Sequence, residues 1–244
     1  MRLKRYYTSE NLKVGNITEI EGDEFHHMVN VMRFRTNDEV VLFNGDGNLY
    51  QSKIVELNKK NAKLLIETKE KSKNEPAVKL TIFQALAKGE KLSLIMQKIT
   101  EIGASELVLF ESKFCDVKSN TSKAERLENI TISAAKQCER ATLVKCDSLI
   151  SLKQAISSIK SFDKFYVTYE NEEHKELASE LIKNKEGIKN VAVMIGPEGG
   201  FATEEIESLK ENGAEIVSLG KRILRTETAA ILSASLVMQI LENT

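Results

Sequence analysis

The apolar and polar positions of the chain follow two rhythms, one on each side of Pro76. In the first, short apolar runs are cut by turn signals. Glu39–Phe43 and Leu49–Val55 read as strands joined through Asn44-Gly45-Asp46-Gly47, residues that tolerate the positive φ of a tight turn. Ala62–Glu67 reads as another strand after the polar run Asn58–Asn61. Phe25, Met28, Val29 and Met32 share one helical face, so Phe25–Met32 is expected to be a helix. Several short strands with tight turns and one helix predict a small β-barrel over residues 1–72.

The second rhythm alternates. Strand-like runs at Leu80–Leu86, Leu107–Phe110, Lys164–Thr168, Val191–Ile195 and Glu215–Leu219 are separated by helical patterns. Leu92, Ile95, Met96, Ile99 and Ile102 fall at i, i+3, i+4, i+7 and i+10, one buried helix face. A last helix is expected over Thr226–Leu241, with Thr226 as its N-cap and Glu227 in its first turn. Alternating strands and helices predict an α/β domain over residues 77–244 with a mostly parallel sheet. The charged, apolar-poor stretch Lys69–Pro76 reads as the linker between the two domains.

Ligands of such sheets bind at the carboxyl ends of the strands, which directs attention to the loops after Ile195 and Leu219. The first is Gly196-Pro197-Glu198-Gly199-Gly200-Phe201, ahead of a helix expected from about Thr203. It is neither GxGxxG nor a Walker A loop. Glu198 within it, and Glu204 and Glu205 at the helix start, would repel a phosphate. Two readings stay open: a tight strand-to-helix turn, or a loop whose backbone holds a neutral or partly cationic ligand. The second loop, Gly220-Lys221-Arg222-Ile223-Leu224-Arg225, is either a solvated basic turn or a site where Ile223 and Leu224 sandwich a ring while Arg225 faces the substrate.

Composition narrows the class. The 244 residues carry 35 Lys+Arg and 36 Asp+Glu, with 41% hydrophobic and 29% charged residues, as in a globular protein rather than a disordered one. Residues 1–72 hold 12 Lys+Arg and 11 Asp+Glu, a net of +1, so any nucleic-acid footprint there is a patch and not a whole-domain field. The basic-aromatic cluster Arg2, Lys4, Arg5, Tyr6, Tyr7 suits phosphate contact with base stacking, and Arg33 and Arg35 suit phosphate contact. No run approaches the roughly 18 apolar residues of a membrane span, and no apolar run follows the basic start as in a signal peptide. The cysteines, Cys115, Cys138 and Cys146, are odd in number and lack zinc spacing, so a cytoplasmic protein without structural metal is expected.

The pair Ile195–Phe201 and Leu219–Ala229 closely resembles the paired signatures of the 16S rRNA (uracil-1498-N3)-methyltransferase family, SPOUT-class enzymes that use S-adenosylmethionine (SAM). The similarity extends over nearly the whole chain. Arg5-Tyr-Tyr7, His26-His27 with Val31-Met-Arg33, and Asn44–Gly47 resemble the family's PUA-like barrel. Lys88–Lys91 with Gln97–Gly103, and Ala134–Arg140, resemble elements of its methyltransferase domain, although Cys138 stands where a Ser is more usual.

The resemblance implies a PUA-like β-barrel followed by an α/β SPOUT domain with a deep C-terminal trefoil knot, a fold that the rule against knotted chains would not have suggested. It implies a homodimer, 16S rRNA of the small ribosomal subunit as partner, and SAM as cofactor. SAM would contact Ile195, Gly196, Pro197, Glu198, Gly199, Gly200, Leu219, Gly220, Ile223, Leu224, Arg225, Thr228 and Ala229. Arg225 is the candidate for stabilising charge on the base, and Glu198 for general base or loop-ordering partner. Arg2, Lys4, Arg5, Tyr6, Arg33, Arg35, Lys221 and Arg222 are the RNA-binding candidates. A knotted enzyme acting on another rRNA or tRNA nucleotide, a binding-only RNA module and a nucleotide-dependent α/β enzyme are the alternatives, and SAM binding in competition with ATP separates the last two from the first reading.

Overall fold

The computed structural model describes residues 3–115, 122–146 and 149–242. These divide into two compact units, one of residues up to 75 together with 135–143, the other of 76–134 together with 144 onward. The segment 135–143, which the sequence pattern assigned to the second domain, therefore packs with the first.

The first unit is built on a five-stranded sheet. Its elements are β1 (Arg5–Tyr7), β2 (Ile17–Glu21), α1 (Gly22–His26) running into a π-helical turn over His27–Val31, β3 (Glu39–Phe43), β4 (Asn48–Leu57) and β5 (Asn61–Lys71). The strand order is β1-β3-β4-β5-β2. All pairs are antiparallel except β1 with β3. The turn between β3 and β4 has Gly45 at φ +89° and Gly47 at φ +83°, the backbone region expected of it. Tyr6, Met28, Leu42, Tyr50, Ile54, Leu64 and Ile66 form the core. The expected helix over Phe25–Met32 starts earlier and changes pitch at His27.

The expected linker is shorter and less free than its composition implied. β5 continues to Lys71, and the Ser72 amide donates to the Gly47 carbonyl. The Glu75 carboxylate accepts hydrogen bonds from the amides of Ala141 (2.6 Å) and Thr142 (3.1 Å) and from Arg140 Nε (3.2 Å). Burial alone would raise the Glu75 carboxyl, but the Thr142 hydroxyl, these amides and the Arg140 charge outweigh it and hold it below the usual carboxylate range.

The second unit carries a six-stranded, wholly parallel sheet in the order β11-β9-β10-β6-β7-β8. In chain order its elements are β6 (Lys79–Ala85), α2 (Lys91–Ile102), β7 (Glu106–Glu111), α3 (Ser122–Cys138, whose last turn joins the first unit), β8 (Ile150–Ser151), α4 (Leu152–Ser157), β9 (Lys164–Thr168), α5 (Leu177–Asn184), β10 (Asn190–Ile195), α6 (Thr203–Glu211), β11 (Glu215–Val217) and α7 (Thr226–Leu241). The central strands are buried on both faces, as parallel sheets require. Leu80, Ile82, Val191, Val193 and Ile195 pack with α2 and α7 on one face. Phe83, Ala85, Ala192, Met194, Phe165 and Val167 pack with α4 and α6 on the other. Helix α2 ends at Gly103 (φ +117°), where a Cβ would lie 2.8 Å from Pro76 Cγ and 3.1 Å from Met238 Cε, so only glycine fits.

After β11, at the sheet's edge, the chain crosses back to lay α7 against β6 and β10. That return is the passage a trefoil knot at this end requires. Thr226 anchors it. It was expected to be the N-cap of α7, but the extended residue there is Arg225, and Thr226 is the first helical residue. Its hydroxyl donates to the Gly196 carbonyl (2.8 Å) and accepts from Gln84 Nε2 (2.9 Å), which ties the start of α7 to the ends of β10 and β6.

Candidate functional site

Because the strands are parallel, their carboxyl ends share one side, and the loops after β9, β10 and β11 meet there around a cavity of about 330 Å³. Ile195, Gly196, Pro197, Glu198 and Gly200 line it from the first loop; Leu219, Gly220, Ile223, Leu224 and Arg225 line it from the second; Ala229 lines it from α7. Arg222, an RNA-binding candidate by sequence, also faces this cavity, whereas Lys221 is exposed outside its lining. Gly199 and Thr228, both expected at the cofactor, are not in the lining. Gly199 is exposed outside the cavity, with its Cβ direction facing Phe114 Cβ at 2.9 Å, and Thr228 is exposed on α7.

The first loop is shaped by close approaches. The Gly200 amide donates to the Pro197 carbonyl at 3.0 Å, closing a turn that leaves Gly200 at φ +73°. A Cβ on Gly196 would lie 2.9 Å from the Phe201 ring, which is buried and stacked on Phe110. The two carboxylates at the start of α6 do not face the cavity as a phosphate-repelling pair. Glu205 is buried and accepts from the amides of Ala202 and Lys113, both at 2.9 Å, and from the Ser112 hydroxyl at 3.1 Å, while Glu204 pairs with Lys113.

Glu198 is engaged. Its Oε1 accepts from Lys91 Nζ at 2.9 Å and from the Lys88 amide at 3.2 Å. The same ammonium lies 3.7 Å from Glu227 Oε2. Burial pushes the Glu198 carboxyl up, but the Lys91 and backbone hydrogen bonds outweigh it, leaving the group below its ordinary value. A general base is most effective with a pKa near the working pH, and this carboxylate moves away from it. Held by Lys91 and the Lys88 amide, Glu198 has the geometry of the loop-ordering partner, the second of its two expected roles. Arg225 contrasts with it. It is exposed, lines the cavity, and no described residue hydrogen-bonds or ion-pairs with its guanidinium.

The cavity also holds residues that were not among the expected cofactor contacts: Lys91, Thr168, Tyr169, Glu170, Phe201 and Thr226. The carboxyl-end rule, applied to β9 as well as to β10 and β11, would have found Thr168–Glu170. Lys91 carried a different signal. A cation in the first turn of a helix opposes the helix dipole and calls for local anions, here Glu198 and Glu227.

The N-terminal candidates fare unevenly. Tyr6 is fully buried and cannot stack on a base as expected. Its ring packs against His27 and Phe34 with Lys136 Nζ 5.4 Å from its centre, and burial, with the Glu24 charge, drives its phenol well above the usual range. Arg5 is largely covered: its guanidinium donates to the Glu139 carbonyl and lies 3.6 Å from Glu139 Oε2. Lys4, Arg33 and Arg35 are exposed, Arg33 at φ +58°; Arg2 lies outside the described residues. Among the described residues no His, Cys, Asp or Glu cluster could hold a metal ion, and no helix is long and apolar enough to cross a membrane.

A parallel sheet whose C-terminal helix returns over its centre, with a cavity between the loops at the strands' carboxyl ends, defines a two-unit α/β protein with a ligand site at that end of the sheet. A family model described as an RNA methyltransferase domain matches residues 73–238, and one described as an RNA methyltransferase PUA domain matches 20–67. The chain belongs to this RNA methyltransferase family. It is 31% identical over 243 residues to ribosomal RNA small subunit methyltransferase E of Bacillus subtilis, covering 96% of this chain and 95% of that one. The protein of the same name from Rickettsia conorii is also 31% identical, covering 95% and 93%. The crystal structure of ribosomal RNA small subunit methyltransferase E from Neisseria gonorrhoeae bound to S-adenosyl methionine superposes with a TM-score of 0.87 at 28% identity, covering 98% of both chains.

Proposed function

We propose that this chain is a SAM-dependent methyltransferase acting on N3 of uridine 1498 of 16S rRNA in the small ribosomal subunit. The observation that carries this reading is the cavity framed by the two signature loops, with an unpaired arginine at its edge. Its chemistry suits SAM. Backbone and apolar side chains dominate the wall, and Ile223, at 87% exposure, offers a ring an uncovered apolar face. SAM, when bound, supplies an electrophilic methyl carbon and a neutral thioether leaving group.

The protein's own residues serve the acceptor. Uridine N3 carries a proton, and as that proton passes to solvent water, negative charge spreads over O2, N3 and O4. Arg225 is free to hydrogen-bond those oxygens, stabilising charge that is fully developed only in the transition state. Glu198, held by Lys91, keeps the loop in shape and takes no proton. Arg222 and Lys221 border the site, and Lys4, Arg33 and Arg35 on the small unit are the exposed cations suited to RNA phosphates. The chain acts as a cytoplasmic homodimer. The half-buried Leu232, Leu236 and Ile240 of α7, and Ile182 of α5 at 60% exposure, supply apolar surface for the second copy.

Methyl transfer from labelled SAM to small subunits prepared without the modification, read by nucleoside mass spectrometry, tests the proposal. The expected product is 3-methyluridine. Label in another nucleoside would keep the enzyme class and overturn the acceptor; absence of label with a competent subunit would overturn the activity.

A further inference from the structure

Arg225 reaches the cavity edge with no described residue holding its guanidinium, so its placement depends on its backbone. That backbone is fixed on both sides. The Arg225 carbonyl accepts from the Ala229 amide at 2.9 Å. Thr226, the next residue, is held by a relay that begins at Gln84, the fully buried penultimate residue of β6. One N–H of the Gln84 amide is taken by the Ala85 carbonyl at 2.9 Å, which turns the other toward the Thr226 hydroxyl, also at 2.9 Å. The hydroxyl, accepting there, donates its own proton to the Gly196 carbonyl at 2.8 Å. The Gln84 Oε1 is buried with no hydrogen-bond partner among the described residues. A buried acceptor left unpaired costs free energy, so packing alone does not account for an amide at this place.

We infer that Gln84 is a positioning residue for methyl transfer, acting through Thr226 on Arg225, an inference that rests on the SAM-dependent reading above and on the role given there to Arg225. An amide and a hydroxyl in series are directional, because each donor fixes the orientation of the next group. The relay therefore sets the start of α7 against the ends of β6 and β10. Arg225 stands one residue before that point with extended backbone, φ −65° and ψ 151°. A shift of the anchor carries the guanidinium with it. Stabilisation of developing charge requires donors already in hydrogen-bond reach, and a displacement of about 1 Å can cost about 100-fold in rate. Gln84 lies outside the cavity lining, so it acts only through these bonds.

Single-turnover methyl transfer at saturating SAM, measured for Gln84→Met and Thr226→Val alone and each combined with Arg225→Ala, tests this. Each single variant removes the relay at nearly constant volume and is expected to lower the rate about tenfold. In the Arg225→Ala background either change is expected to cost less than about twofold, because the group that the relay positions is gone. Thr226→Ser, which keeps the hydroxyl, is expected to stay within about twofold of wild type. Equal fold losses in the two backgrounds would mean that the relay supports the fold generally, and would overturn the inference, as would wild-type rates in both single variants. Absence of transfer by wild type to a competent subunit would overturn the proposed function and this inference together; transfer by wild type with equal losses overturns the inference alone.

Discussion

The second loop of the cavity and the N-terminal strand carry the same kinds of side chain and use them in opposite ways. In the loop, Arg222 and Arg225 stand exposed at a cavity edge without a partner among the described residues, beside an Ile223 left 87% exposed. In β1, Arg5 is bound to Glu139 and Tyr6 is sealed into the core under Lys136, which itself pairs with Glu24 at 2.6 Å. Residue type alone does not mark a binding surface. What marks it is charge and apolar area that the fold leaves unsatisfied next to a concavity. A basic-aromatic cluster whose hydrogen bonds and packing are already spent belongs to stability.

That contrast can be broken by mutation. The largest effect is expected from Tyr6→Ala, which removes a fully buried ring and should cost about 3–5 kcal/mol in denaturant unfolding. A loss of RNA affinity with stability intact would contradict the structural role. Next, Glu198→Gln removes the ion pair with Lys91 and should lower SAM affinity and kcat/KM together by several-fold.

The pH dependence follows the same contact. Because the Glu198 carboxyl lies below its ordinary value, the pairing is present throughout the neutral range and is lost only as pH falls through that lowered value, on the acid side of the ordinary carboxylate range. Rate profiles between about pH 6 and 9 should therefore have the same shape in wild type and Glu198→Gln. A variant whose loss is relieved at high pH would restore Glu198 as a base.

Smaller effects sharpen the other half. Arg33→Ala and Arg35→Ala should each weaken RNA binding a few-fold and reduce the salt dependence by about one charge, without altering stability. The smallest is Tyr6→Phe. The Tyr6 hydroxyl is buried without a hydrogen-bond partner among the described residues, so its removal should leave RNA affinity unchanged and stability equal or raised by up to about 1 kcal/mol.

The elements with strong periodicity were readable from sequence: β3, β9 and α7 have the bounds their patterns predict, because each buries a continuous apolar set. β2 was hidden by its own side chains. It turns Thr18 and Ile20 inward and leaves Ile17 58% exposed, so no apolar alternation shows. β1 is three residues long and is held by parallel pairing to β3, a contact that no local pattern encodes. The signature loops were legible because glycine, proline and arginine spacing reports backbone shape directly. Glu170 and Lys91 were not, since their place in the cavity depends on which strand ends and helix starts the sheet order brings together. The knot likewise came from the resemblance and not from any periodicity.

The most direct test of the claim that unsatisfied charge at the cavity does the chemistry is single-turnover methyl transfer by Arg225→Ala, with SAM affinity measured on the same preparation. The account predicts a rate about 100-fold below wild type with SAM affinity within about threefold, the signature of a contact made in the transition state. A wild-type rate, or a rate that falls only in step with SAM affinity, would contradict it.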